Sequence, residues 1–381
     1  MLGLLLYLER RSVLRHVRRI PLRVAVTGTR GKSTVTRMIA AALKEAGFPV
    51  LAKTTGSKPV FILPDGREEE IVRRGRPSIL EQKRLLKEAA NRGVRAVVAE
   101  MMSIQPECLA VESGRLLQPH FVVVTNARLD HREEMGQTKR EIARSLSSAI
   151  RPGTTVFIPG SELYPEFEAA ADHVGAKIIA LENTAAGSFF DEDSRLAAVV
   201  ASHLGVADAA ALRGISAAAA DFGSLRAWEA GLGVPPMTWT LVSAFAANEP
   251  ESSRLILTHL QNTLITNGRP LVGILNFRAD RGDRTRQWLD AYRQDFFSDF
   301  RSLYGVGAHV HSLSLRSLSL RRKSGRLPCL TLLPDRTPSA IMEKLAFREA
   351  GGPVLIGLGN IGGLGEALVE HWQKIGRPHA L

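Results

Sequence analysis

Short apolar runs alternate with longer stretches of helical periodicity through the first half of the chain. The apolar runs are rich in β-branched residues, and a polar turn follows each one, which predicts strands. Between them, "KSTVTRMIAAALKEAG" has the period of a helix and stops at Gly47. The predicted strands are "RVAVTG", "AVVAEM", "HFVVVTN", "TTVFIP" and "KIIAL". This alternation is typical of a parallel sheet covered by helices, whose ligands bind where the strands end.

The pattern is interrupted between Ala217 and Pro236, where small residues, turns and prolines mix, and it then resumes. A chain of 381 residues is long for one core. We predict an α/β protein with a short N-terminal segment 1–20, a parallel-sheet domain 21–222 and a smaller Rossmann-like α/β domain 223–381. The strands of the smaller domain are predicted at "WTLVSAFA", "LVGILNF", "SLYGVG" and "PVLIGLG", and its helices at "DRTRQWLDAYRQDF" and "ALVEHWQKI".

The N-terminus is apolar from Met1 to Leu8 and then strongly basic. The apolar run is too short to cross a bilayer, which takes about 20 residues. The order is also inverted for a signal peptide, whose charge comes first. Two interpretations stay open: a short helix lying on an anionic membrane surface, or a helix packed on the protein body.

The chain is strongly basic, with a formal net charge of +12 and a pI near 10.1. Such a surface attracts polyanions such as nucleic acid, anionic lipid or an acidic polymer, although an arginine-rich composition alone would also produce it. The most basic stretch, "RSLSLRRKSGR", has no interleaved aromatic residues, so no nucleic-acid partner is expected. Cys108 and Cys329 lie far apart, which indicates an intracellular chain without a disulfide framework.

The stretch "VAVTGTRGKSTVTRM" joins the first predicted strand to the first helix. It resembles a phosphate-binding loop, GxxxxGK[ST], except that Val26 occupies the first glycine position. Backbone N–H groups at a helix start, a lysine and a hydroxyl suit phosphate oxygens and magnesium. We therefore predict a nucleotide site formed by Thr27, Gly28, Thr29, Arg30, Gly31, Lys32, Ser33 and Thr34.

The shorter form TGTxGKST is similar to the loop of the Mur-ligase superfamily of ATP-dependent amide ligases. Two more segments share the resemblance. "VVAEMMS" places Glu100 where the superfamily has a magnesium-binding glutamate, and "TNARLDHREEMG" places His131 where its histidine reaches the metal. The resemblance implies ATP and Mg²⁺ as cofactors, with Ser33, Glu100 and His131 as metal ligands and with Lys32, Glu100 and His131 as catalytic residues.

The order of motifs along nearly the whole chain resembles the poly-γ-glutamate synthase family in particular. The motifs are "VTGTRGKSTVTRM", "KTTG", "EQK", "AEMMSIQPE", "TNARLDHREEMG", "FAANEPESS", "NFRADRGDRTRQ" and "IGLGNIGG". The resemblance implies a ligase that joins glutamate through its γ-carboxylate by way of an acyl phosphate. Glutamate and poly-γ-glutamate are the expected partners. Membrane subunits of a capsule synthase, peripheral attachment at the inner face of the plasma membrane and a homo-oligomer are also expected.

The resemblance implies further contacts from later parts of the chain. Arg226 matches a superfamily arginine that reaches the γ-phosphate, although it is equally compatible with a solvated linker. Asp193 stands at an adenine-side position, and Asn248 is expected to bind the nucleotide. Asp280 and Arg281 are expected to bind the acidic substrate, or alternatively to cap a helix.

The sequence also departs from the superfamily pattern. Leu146 stands where many members have a carbamylated lysine for a second magnesium, and Ala244 stands where a ribose-binding carboxylate opens a loop. Two other functions stay open at this stage: a folylpolyglutamate-type ligase, and a P-loop ATPase that forms no amide.

Overall fold

The computed structural model describes residues 2–56, 58–73, 75, 77–182, 189–221, 223–264, 268–308 and 327–379. The chain divides into two compact units, Met1–Phe222 and Gly223–Leu381. The stretch "RSLSLRRKSGR" lies outside the described residues. No helix in the described part of the chain is long and apolar enough to span a bilayer.

The first unit is built around an eight-stranded sheet with the strand order β4-β3-β2-β5-β1-β6-β7-β8. The strands are β1 (Leu22–Thr27), β2 (Val50–Lys53), β3 (Val60–Ile62), β4 (Glu68–Glu70), β5 (Ala96–Glu100), β6 (Phe121–Val124), β7 (Thr155–Pro159) and β8 (Lys177–Leu181). The helices are α1 (Leu2–Arg18), α2 (Lys32–Glu45), α3 (Glu81–Arg92), α4 (Pro106–Val111), α5 (Arg132–Met135), α6 (Lys139–Ser147), α7 (Pro165–Val174), α8 (Phe189–His203) and α9 (Asp208–Ser216). A π-helical turn, Glu112–Leu117, continues α4.

All five strands predicted for this half are present. They pair in parallel with β1 at the centre, between β5 and β6. Because helices cover both faces, the central strands are buried on both sides. Their sequences are therefore continuous apolar runs. The short strands β3 and β4 join antiparallel at the β2 edge. The sequence analysis did not predict β2, β3 or β4, which have three or four residues each. The three exposed glutamates of β4 carry no apolar alternation.

Helix α1 is buried near its C-terminus and more exposed near its N-terminus. Val13 and Val17 near its C-terminus are buried, whereas Leu4, Leu6 and Leu8 are 63%, 56% and 49% exposed. The N-terminal half of α1 therefore presents apolar side chains to solvent.

The second unit contains a seven-stranded sheet with the order β13-β12-β11-β14-β10-β9-β15. Its strands are β9 (Arg226–Leu232), β10 (Met237–Ser243), β11 (Leu271–Phe277), β12 (Ser302–Gly307), β13 (Leu330–Leu332), β14 (Val354–Gly359) and β15 (Arg377–His379). Its described helices are α10 (Pro250–Thr263), α11 (Gly282–Arg293), α12 (Pro338–Arg348) and α13 (Leu364–Ile375). The five strands from β13 to β10 are parallel, which confirms the predicted α/β class.

The interrupted region Ala217–Pro236 is not only turns. It contains β9, which pairs antiparallel with β10 and extends the sheet beyond its parallel part. The sequence "RAWEAGL" hides this strand, because alanine and glycine weaken its β-propensity and a tight turn follows directly.

Candidate active site

The loop Gly28–Gly31 leaves the central strand β1 and leads directly into α2. Gly28 has φ +128° and Gly31 has φ +77°, conformations that side chains disfavour. A Cβ at Gly28 would collide with Thr125 Oγ1, and one at Gly31 would lie 2.7 Å from Asp193 Oδ2. Both positions therefore require glycine. Because no side chain covers them, the loop backbone and the free N–H groups at the start of α2 are available to an anion.

The residues after β6 hold this loop in shape. The Oδ1 atom of Asn126 accepts hydrogen bonds from Thr29 Oγ1 at 2.7 Å and from the Arg30 backbone N–H at 3.1 Å. The Asn126 side-chain amide donates to the Arg30 carbonyl at 3.1 Å, and the Thr125 hydroxyl donates to the same carbonyl. The "TN" of the predicted metal segment thus also acts as a clamp on the phosphate loop, a role that the sequence analysis did not assign.

Lys32 folds back over the loop, with Nζ donating to the Gly28 carbonyl at 2.7 Å and to the Thr29 carbonyl at 3.3 Å. Burial lowers the pKa of the ammonium, Arg30 acts in the same direction, and Glu100 opposes the shift. A bound polyphosphate would supply the negative charge that favours the ammonium, so this lysine fits a nucleotide site.

Ser33 and Glu100 meet next to the loop. Ser33 Oγ donates to Glu100 Oε2 at 2.8 Å, and the Thr55 backbone N–H donates to the same oxygen at 2.7 Å. Nowhere in the described ranges do three His, Cys, Asp or Glu side chains converge into a metal site. A hydroxyl and one carboxylate suit Mg²⁺, which usually binds few protein ligands and completes its coordination with phosphate oxygens and water.

The segment containing His131 lies beside the loop. Arg30 Nη2 forms an ion pair with Asp130 Oδ2 at 3.1 Å, and His131 Nε2 lies 3.5 Å from the same oxygen. His131 itself has a left-handed backbone conformation, φ +49°. Arg30 therefore links the loop to this segment, whereas the role of His131 as a metal ligand stays a prediction.

Asp193 lies against the loop with only 3% of its surface exposed. Its Oδ2 finds no hydrogen-bond donor among the described residues. Burial raises the pKa of this carboxyl well above its ordinary value, and Arg128 opposes the shift only in part. Asp193 thus faces the phosphate-binding loop at Gly31, and a contact with adenine stays a prediction.

A buried network that the sequence analysis did not predict supports Glu100 from behind. The Gln82 side-chain amide donates to the Glu100 carbonyl at 3.1 Å and to Glu112 Oε1 at 2.7 Å. Glu112 is fully buried and also accepts the backbone N–H groups of Met102 and Ser103. The only signal in the sequence is the "EQK" string, which gives no hint that a glutamate 30 residues later would meet it.

The remaining predicted residues belong to the second unit. Arg226 is the first residue of β9, and its guanidinium lies 5.4 Å from the ring centroid of Trp228. Asn248 has φ +59°, and its carbonyl accepts the Trp288 indole N–H at 3.0 Å. The other two, Asp280 and Arg281, precede α11.

Asp280 forms an ion pair with Arg278 at 2.7 Å, and Arg281 lies immediately before Gly282, the first residue of α11.

Leu146, at the position of the carbamylated lysine, is buried in the apolar core of the first unit. It therefore cannot hold a metal, as the sequence indicated.

Both units match known families. Residues 26–190 match the family described as "Mur ligase middle domain", and residues 233–375 match "Poly-gamma-glutamate synthase CapB C-terminal domain". The chain is 31% identical to "PGA synthase CapB" of Bacillus subtilis (strain 168), over 97% of this chain and 95% of that protein. It is 32% identical to "Capsule biosynthesis protein CapB" of Bacillus anthracis, over 74% of this chain and 62% of that protein.

The fold is similar to solved ligases. The bifunctional folylpolyglutamate synthase/dihydrofolate synthase of Yersinia pestis, complexed with AMPPNP and a Mn ion, superposes with a TM-score of 0.65 and 14% identity. The superposition covers 95% of this chain and 92% of that one. At this identity, the likeness concerns the fold alone.

Proposed function

Because the chain belongs to the poly-γ-glutamate synthase CapB family, we propose that it extends poly-γ-glutamate by activating a γ-carboxylate with ATP as an acyl phosphate. The single observation that carries the proposal is the 31% identity over 97% of the chain. The family and the Mur-ligase type of fold, both predicted from the motifs, are confirmed. The chain is accordingly an ATP-dependent amide ligase. The likeness to folylpolyglutamate synthase lies at 14% identity, so it does not favour that alternative.

The loop supports ATP as the energy source. In this proposal, the residues Gly28–Thr34 bind the phosphates through backbone N–H groups and Lys32. Ser33 and Glu100 would hold Mg²⁺, with His131 in its coordination shell. Bound there, the ion would neutralise phosphate charge. The AMPPNP and Mn ion in the folylpolyglutamate synthase complex concern that protein, but they agree with a nucleotide and a divalent metal here.

Amide formation from a carboxylate needs activation, because oxide is too poor a leaving group. In the proposed mechanism, a γ-carboxylate oxygen attacks the γ-phosphorus of ATP, and the bond to ADP breaks. The amine of the second glutamate then attacks the acyl carbon. The resulting tetrahedral intermediate expels inorganic phosphate, and the amine loses a proton. Lys32 stabilises the charge on the transferred phosphoryl group, which is the largest contribution that a protein makes to such a step.

Four of the predicted residues lie in the second unit. We propose that Arg226 and Asn248 contact the nucleotide and that Asp280 and Arg281 bind the acidic substrate. Water must be excluded from the reaction, because it would otherwise hydrolyse the acyl phosphate.

Helix α1 supports peripheral membrane attachment. Leu4, Leu6 and Leu8 are exposed, and the exposed arginines Arg10 and Arg11 follow them. An apolar end next to basic side chains suits the surface of an anionic membrane or the membrane subunits of a capsule synthase.

The test uses the full chain with ATP, Mg²⁺ and glutamate, and it analyses both nucleotide and polymer products. We expect ADP, phosphate and a γ-linked polymer, and we expect hydroxylamine to trap the activated carboxylate as a hydroxamate. The release of AMP would instead indicate an acyl adenylate and overturn the mechanism. A phosphate release that needs no glutamate would favour a plain ATPase.

Lys32→Ala should reduce polymer formation about 100- to 1,000-fold without loss of folding, because one charge-stabilising donor is removed. Lys44→Ala on the same helix is the matched control, since its ammonium donates to the Asp65 carbonyl in an exposed turn. A Lys32→Ala enzyme of normal activity would contradict the assigned site.

A further inference from the structure

We propose that a cleft at the start of α3 binds the γ-glutamyl chain that the enzyme extends, with Arg73 and Arg84 contacting its α-carboxylates. The proposal rests on the proposed function and names a substrate site for it. The cleft lies in the first unit, has a volume of about 270 Å³ and includes both arginines in its lining. Ligand pockets commonly measure about 300–1,000 Å³, so the cleft suits a short segment of chain and not a folded partner.

The cleft joins an apolar surface to cationic groups. Phe61 and Ile71 are almost fully buried at its base, and Leu80 is 55% exposed at its edge. The guanidinium of Arg84 lies 5.3 Å above the ring centroid of Phe61, which orients it. A γ-linked glutamate polymer alternates two methylene groups with an amide and carries one free α-carboxylate per residue. An apolar base with guanidinium groups beside it matches this alternation.

The charges of the wall are unbalanced. Glu81 accepts two hydrogen bonds from Arg73, at 2.8 and 3.1 Å, and forms an ion pair with the fully buried Lys53 at 3.2 Å. Burial opposes the ionisation of Glu81, but the hydrogen bond from Arg73 and the charge of Lys53 hold its pKa below the ordinary value. Two guanidinium groups and one carboxylate therefore line the cleft, and this excess of positive charge attracts an anion.

The same elements connect the cleft to the reaction site. Lys53 is the last residue of β2, and two residues later the Thr55 N–H donates to Glu100 Oε2 at 2.7 Å. Next to Glu81 in α3, Gln82 bonds the Glu100 carbonyl. Two chain segments that line or support the cleft thus also hold the predicted metal ligand. A polymer bound in the cleft would lie beside the centre that activates its carboxylate.

The experiment measures binding of a fluorescein-labelled γ-linked hexaglutamate to the full chain by anisotropy, without ATP, and compares it with the α-linked hexamer. The test variant is Arg84→Glu. The control is Arg92→Glu, which makes the same charge change on the same helix, outside the cleft lining, where Arg92 pairs with the exposed Glu88. We expect Arg84→Glu to weaken γ-linked binding about tenfold or more, and Arg92→Glu less than about twofold. The wild-type protein should prefer the γ-linked hexamer.

Steady-state kinetics supply a second measurement, with the γ-linked hexamer as acceptor. Arg84→Glu should raise KM for the hexamer and leave KM for ATP unchanged, while Arg84→Lys should recover part of the loss. Equal weakening by the two charge reversals, or equal affinity for both linkages, would overturn the cleft proposal. If the wild-type enzyme forms no γ-linked polymer at all, the proposed function fails instead, and the binding measurement tells the two failures apart.

Discussion

Asn126 illustrates how single side chains set the shape of the phosphate loop. It bonds Thr29 and Arg30, although 97 and 96 residues separate it from them. Val26, at the position of the missing first glycine, is fully buried within β1 and is paired with Glu100 of β5. The loop proper therefore begins at Gly28, and Glu100, the predicted metal ligand, lies at the end of the adjacent strand.

Asn126→Ala should destabilise the loop and lower the affinity for nucleotide. The change leaves the partners at Thr29 and Arg30 unsatisfied in a buried site, so we expect the free energy of unfolding to fall by about 1–3 kcal/mol. Urea unfolding and calorimetric titration with a non-hydrolysable ATP analogue measure the two effects. The exposed Asn91→Ala is the control. Unchanged stability and affinity would contradict the clamp.

Asp193→Asn should change how stability depends on pH. The folded protein holds the proton of Asp193 more tightly than the unfolded chain, whose pKa is near the ordinary 3.8. The contribution of Asp193 to the free energy of unfolding is therefore fully present below that pH and is lost as the pH rises through the raised pKa. The asparagine variant lacks this loss, so its advantage in unfolding free energy should grow with pH.

Chemical unfolding of the wild-type protein and the variant at several pH values measures this effect. A constant difference between the two proteins at all pH values would show that Asp193 has an ordinary pKa.

At the scale of elements, the end of β5 depends on the π-helical turn that continues α4. Glu112, the first residue of that turn, accepts hydrogen bonds from Gln82 and from two backbone groups that follow β5. A fully buried carboxylate is stable only when its oxygens are satisfied in this way. The π-helical turn and α3 therefore together hold Glu100 in place at the end of β5.

Glu112→Ala should destabilise the first unit, on the order of 3 kcal/mol, because it leaves several buried donors unpaired. It should also lower the affinity for Mg²⁺ by displacing Glu100. Thermal unfolding and the Mg²⁺ dependence of activity measure these changes. Glu107→Ala on the exposed side of α4 is the matched control and should resemble the wild type. A stable variant with normal Mg²⁺ dependence would show that Glu112 does not hold Glu100 in place.

At the scale of the whole molecule, a net charge of +12 suits an enzyme whose proposed product is a polyanion. The same charge would hold the protein near anionic lipid, where the exposed apolar end of α1 could insert. The two uses involve different parts of the chain, because the residues lining the proposed cleft lie between Phe61 and Arg84, whereas the exposed leucines precede Glu9.

Replacement of Leu4, Leu6 and Leu8 by serine should abolish sedimentation with vesicles that contain anionic lipid. The wild-type protein should bind these vesicles, and salt should weaken the binding because charge contributes to it. Leu212→Ser, which changes a leucine 58% exposed on α9, is the control. A wild-type protein that stays in the supernatant would refute membrane attachment through α1.

The sequence by itself determined the α/β class, most of the central strands, the glycine-containing loop between β1 and α2, and the family. These features depend on apolar periodicity and on motifs confined to a few neighbouring residues, so they can be read locally. Among the strands that escaped prediction, β4 consists of three exposed glutamates and β9 contains alanine and glycine, and pairing with a neighbouring strand stabilises both.

Only the tertiary structure decided which polar groups meet. It placed Asn126 on the loop, Asp193 against Gly31, Glu112 behind Glu100 and Lys53 behind the cleft. No local pattern of the sequence indicates any of these contacts. Burial, which gives a carboxylate or an ammonium its altered pKa, is a property of the packed chain and not of the residue.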